Sequence, residues 1–130
     1  MKFQIETSSL PAIGSHGPGW IALAGQRITA SVLIDAAGRH RPWGGPAFEQ
    51  LGAADFAALA APQAGAPAAE LVLFGSGARL RFPPPAWLRP LIEAGIGIET
   101  MDTLAACRTW NLLTGDGRRV LAALVIEPAV

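Results

Sequence analysis

Apolar and polar positions along this chain follow one pattern before residue 60 and another after residue 70. In the first, short apolar runs alternate with turn residues: Ala12-Ile13, then Gly17-Pro18-Gly19, then Trp20-Ile21-Ala22-Leu23, then Gly25-Gln26 before Ile28 to Ile34. Strand-like runs joined by glycine turns predict an antiparallel meander. In the third run Ile28, Ala30, Val32 and Ile34 alternate with Thr29, Ser31, Leu33 and Asp35, the period of a strand with one dry and one mixed face. Asp35 to Gly38 ends it, and Arg39 to Pro46 carries too much Pro and Gly for regular structure, with Trp43 as an anchor. Phe56 and Leu59 mark a helical stretch from Asp55 to Ala61, and Ala60 to Ala69, broken by Pro62, Gly65 and Pro67, reads as a connector.

The second pattern is strand, helix, strand, helix, strand. Leu71 to Phe74 is a continuous apolar run ended by Gly75, as expected of a strand buried on both faces. Pro84-Pro85 opens a predicted helix to about Ala94, with Trp87, Leu88, Leu91 and Ile92 as its stripe and Gly95 as its stop. Ile96 to Glu99 is a short strand, Asp102 or Thr103 caps a helix from about Leu104 to Leu113, and Arg119 to Ile126 is the last strand. Tight connections between such elements predict two βαβ crossovers and a parallel core. The predicted fold class is therefore α/β, an N-terminal antiparallel meander joined to a C-terminal βαβαβ unit with helices on a mixed sheet. Residues 1–130 form one predicted domain.

Composition narrows the function. Ten basic and ten acidic residues cancel to a formal charge of zero, and four of each fall in the chain up to Gly65 while six of each follow it. Neither half offers the electrostatic footprint of a nucleic-acid binder. Apolar stretches fall short of the roughly 18 residues a membrane-spanning helix needs. The N-terminus shows only Lys2 and no apolar signal core, and the single Cys107 excludes an internal disulfide, which together fit a cytoplasmic protein.

Candidate chemistry concentrates after the strands of the second half. Gly75-Ser76-Gly77-Ala78-Arg79 follows a strand, where backbone N–H groups can approach an anion. It is neither a P-loop, lacking Gly-Lys-Ser/Thr, nor a dinucleotide fingerprint, with Leu80 where the third glycine belongs. A tight turn is its plain structural reading. Asp102 ends the neighbouring strand and faces Arg79 across a common rim if the crossovers are as predicted, although capping a helix is sufficient reason for it. Arg108 and Asn111 on the next helix suit a carboxylate, a phosphate or a partner's backbone, or else structural roles. Gly75, Ser76, Gly77, Arg79, Asp102, Arg108 and Asn111 are thus the candidate small-anion or nucleotide-like ligand set. Cys107 lacks a histidine partner in its own segment, since His16 and His40 lie far off in sequence, and no metal-ligand spacing is present. No catalytic set, metal or cofactor is expected.

Three stretches in order, Leu73 to Pro83, Gly95 to Thr103 and Ala105 to Asn111, together with His16-Gly17-Pro18-Gly19-Trp20 and Pro42-Trp43, resemble the Mth-domain family of small proteins. Trp110 departs from the Tyr more usual there and removes a hydroxyl. The resemblance implies a compact α/β domain and a non-enzymatic interaction role. Mitochondrial members help assemble the membrane NADH:ubiquinone oxidoreductase. It therefore implies a protein partner, such as a respiratory membrane complex or its assembly machinery, met at the inner membrane from the cytoplasmic side. Richness in Ala, Gly, Pro and Arg, with one Lys, fits a bacterial member.

Overall fold

A computed structural model of the chain describes residues 12–62 and 68–128. Alternation of side chains explains its layers. Along β6 (Leu71–Gly75) and β8 (Val120–Leu124), Leu73, Val120, Ala122 and Leu124 enter one apolar cluster while Val72, Phe74, Leu121 and Ala123 enter another on the opposite face. Both strands are buried on two sides, which is why their sequences are apolar nearly throughout. They pair in parallel, and β7 (Gly97–Met101) pairs in parallel on the other side of β6. Two strands of the first half, β4 (Val32–Ile34) and β5 (His40–Pro42), complete a mixed five-stranded sheet of order β5-β4-β8-β6-β7, with β4 antiparallel to β8.

The remaining meander is a separate three-stranded sheet, β1 (Ile13–Gly17), β2 (Trp20–Leu23) and β3 (Gln26–Ile28). Its Ile13, Ile21, Leu23 and Ile28 join the cluster around α3 (Thr103–Gly115), so meander and α3 cover the same face of the main sheet. The opposite face is covered by α1 (Ala53–Ala57), α2 (Arg89–Glu93) and the loop anchored by Trp43. Trp43, Phe56 and Phe74 meet edge to face there, and the Trp43 indole donates to the Asp55 carbonyl at 3.1 Å.

Helix ends follow their residues. Asp102 accepts the Ala105 N–H at 2.9 Å as N-cap of α3. Gly95 and Gly117, with φ of 73° and 82°, close α2 and α3. The N–H of Gly95 donates to the carbonyl of Ile92 and that of Ile96 to Leu91, and Gly117 and Arg118 repeat the pattern on Thr114 and Leu113.

Three expectations need correction. The run Ile28 to Ile34 is not one strand: residues 29–31 leave the small sheet and β4 enters the large one, so Ala30 is exposed while Ser31 and Leu33 are buried. Ser31 makes this step, accepting the Ile126 N–H on its hydroxyl and the Trp43 N–H on its carbonyl. Arg39 to Pro46 contains strand β5, because the Asp35 carboxylate accepts the N–H groups of Ala37 and Arg39 and folds the chain back on β4. The helix expected from Pro84 begins as a 3₁₀ turn, Pro85–Leu88, before α2, and that tighter winding leaves Leu91 fully buried but turns Ile92 outward, 66% exposed. The middle of the predicted connector, residues 63–67, and the segment around Lys2 lie outside the described residues.

Candidate functional site

The parallel strands β6, β7 and β8 end on one rim, and a single hydroxyl ties their exits together. Thr103 Oγ1 donates to the Val125 carbonyl at 2.7 Å and accepts the Gly77 N–H at 2.9 Å, while the Thr103 N–H donates to the Gly77 carbonyl at 2.9 Å. Ser76 N–H to Met101 carbonyl and Val125 N–H to Gly75 carbonyl, both 2.8 Å, extend the ladders beyond the strands proper. Glycine is required at two of these positions. A Cβ on Gly75 comes within 3.0 Å of Thr103, and Gly77 adopts φ +106° with its missing Cβ directed at Arg81 and Glu127.

Behind Gly77 lies a charged cluster. Arg81 donates from Nη2 to Glu127 Oε1 and to the Ser76 carbonyl, both 2.7 Å, and from Nη1 to Glu49 at 3.3 Å, with its guanidinium over the Phe48 ring. Burial alone raises the Glu127 carboxyl, but the Arg81 hydrogen bond, the N–H groups of Phe48 and Ala78 and the Arg81 charge outweigh it and hold Glu127 below the usual range. On the α3 face of the rim a cleft of about 270 Å³ opens between the Gly17 to Ile21 turn, Ala78, Leu104 and residues 125–127. Its walls are mostly apolar. Gly17 lies under the Trp20 indole, where any Cβ collides with the ring, and Arg27 stacks on that indole 3.9 Å from its centroid.

Of the residues singled out from sequence, Gly75, Ser76, Gly77 and Asp102 come together on this rim. Their polar groups are turned inward: the Ser76 hydroxyl donates to the Arg79 carbonyl and accepts the Arg81 N–H, and Asp102 caps α3. Arg79 and Arg108 are exposed. Asn111 lies further along α3, where its amide exchanges two 2.9 Å hydrogen bonds with the backbone of Ile13 and pins the meander to the helix. Trp110 is fully buried, its indole N–H donating to the Val120 carbonyl at 3.3 Å. Cys107 is buried beside it, and burial, only partly opposed by the Arg108 charge and slightly reinforced by Asp102, pushes its thiol up to about 12. A thiol held that high is protonated at neutral pH, which disfavours nucleophilic chemistry at Cys107. Arg81 and Glu127 are not among the residues singled out, and Thr103 enters only as an alternative helix cap. Thr103 directly follows the chosen Asp102, whereas nothing in the spacing of Arg81 and Glu127 announces their pairing.

Known proteins resemble this chain in both sequence and fold. The family model described as "Protein of unknown function (DUF498/DUF598)" matches residues 13–125. An uncharacterised protein of Rhodobacter capsulatus is 35% identical over 116 residues, covering 89% of this chain and 85% of that protein. NADH dehydrogenase (ubiquinone) 1 alpha subcomplex assembly factor 3 of Bos taurus is 40% identical over 62 residues, 48% of this chain but only 34% of that longer protein. Among solved structures, a Mth938-like domain from Bordetella pertussis superposes with TM-score 0.80 at 30% identity, covering all of this chain (100%) and 96% of that one. The expected resemblance and the α/β fold are thereby established.

Proposed function

We infer, from the premise that this chain belongs to the DUF498/DUF598 family of Mth938-like domains, that it is a non-enzymatic interaction domain serving assembly of a respiratory membrane complex. The similarity to a complex I assembly factor carries this reading. Exposed apolar side chains support it: Leu80 and Phe82 stand 52% and 68% exposed just after the glycine loop, and aromatic side chains such as Phe82 are enriched at protein interfaces. No helix among the described residues is long and apolar enough to cross a membrane. The domain works from the cytoplasmic side of the inner membrane.

Affinity capture from gently solubilised membranes tests the reading. Recovery of respiratory subunits or insertion machinery, diminished by Phe82→Glu, supports it, and their absence from the captured set refutes it. A second reading, small-ligand binding on the rim, draws on the cleft beside Gly77 and Thr103. A thermal shift with an anionic metabolite that disappears in Arg79→Ala supports that alternative, and a broad screen without shifts ends it.

A further inference from the structure

The two edges of the five-stranded sheet are built differently. At one, β5 is three residues long and ends in Pro42, which has no N–H to offer a newcomer. At the other, β7 runs five residues in unbroken register with β6 and contains no proline. The Gly97 N–H donates to the Glu70 carbonyl and the Met101 carbonyl accepts from Ser76, so residues 97, 99 and 101 turn their backbone groups toward β6. By the alternation of a parallel ladder, Ile98 and Thr100 turn theirs away from it. Among the described residues no further strand pairs with β7, so two N–H groups and two carbonyls stand on this edge, with Glu99 exposed between them.

We propose that this edge of β7 docks an extended segment of a partner protein that carries a basic side chain opposite Glu99. A second copy of this chain is a poor occupant. An antiparallel pairing that uses all four free groups sets Ile98 opposite Thr100 of the other copy and so centres on Glu99 facing Glu99. That is a close, non-hydrogen-bonded position where the two carboxylates repel. A Lys or Arg at the same position of a different strand converts the repulsion into an attraction. Its neighbours then lie on the face shared by Ile98, which packs against the apolar cluster of α2 and Trp87. The Glu99 side chain thus guards the edge against self-assembly and selects the visitor.

The proposal specifies the surface used by the interaction domain inferred above, and it rests on that reading; the test separates the two. The probe is a blocked Thr-Val-Lys-Val-Thr peptide titrated into the labelled full chain and followed by amide resonances. Expected are shifts at Ile98 and Thr100, binding roughly threefold weaker when the central Lys is replaced by Glu, inversion of that preference in Glu99→Lys, and loss of binding in Thr100→Pro. Should Thr100→Pro fail to fold, Glu99→Lys and a backbone N-methylated peptide carry the test. Shifts confined to other residues, no shifts at all, equal binding of the N-methylated peptide, or self-association that protects the same two amides overturns the proposal. Membrane capture unaffected by edge variants that fold removes the edge and leaves the interaction reading. Peptide docking without any respiratory partner does the reverse.

Discussion

Thr103 shows how much one hydroxyl can organise. It satisfies a carbonyl after β8 and an N–H after β6 while opening α3, all in a buried setting. Thr103→Val keeps the shape and leaves both backbone groups without partners, so a loss of roughly 2–4 kcal/mol is expected in urea denaturation, with Thr103→Ser recovering most of it. Glu127 gives the rim a pH dependence with a definite sign. Its native pKa is lowered, so its stabilising contribution is complete above the ordinary carboxylate value of about 4.3 and is lost as pH falls through the lower native value. The urea midpoint of the wild type should fall more steeply on acidification than that of Glu127→Gln.

At the scale of elements, what the sequence announced and what it hid have different physical causes. Apolar runs buried on both faces and glycine stops are local signals, and they placed β6, β8 and α3 within a residue or two. Residues 28–34 failed as one strand because alternation reports a strand but not which sheet it serves. The bonds from Ile126 and Trp43 to Ser31, invisible to local alternation, fix the break. The candidate rim was legible as far as Gly75 to Gly77 and Asp102, since a loop after a parallel strand is a positional signal. The Arg81 to Glu127 pair spans 46 residues and left no trace in spacing. The β2–β3 hairpin carries a local conflict: its two turn residues, Ala24 and Gly25, have φ of 53° and 79°, and Ala is strained in a left-handed conformation that Asn tolerates. Ala24→Asn should raise stability by about 1 kcal/mol, read as a higher melting temperature.

Across the whole molecule, two apolar layers flank one sheet, and they are not equally secured. The three-stranded meander is held to α3 by side-chain packing and by the two hydrogen bonds of Asn111 to Ile13. Strands β6 and β8, enclosed on both faces, are the natural core of slowest exchange. In Asn111→Ala, hydrogen exchange should accelerate first in β1 to β3 while amides of β6 and β8 keep their protection. Uniform acceleration through all strands contradicts this division.

The position of β8 also bears on how the molecule is made. Among the described residues it is the last strand in chain order, yet it lies between β4 and β6. A chain growing on the ribosome therefore carries β4 with β5 and β6 with β7 as two pieces that share no neighbour, each showing the cell an unfinished border. Closure waits for the segment through Leu124 to emerge and slide between them. Until that segment is in place neither piece has its central partner, the condition under which unpaired strand edges invite mispairing.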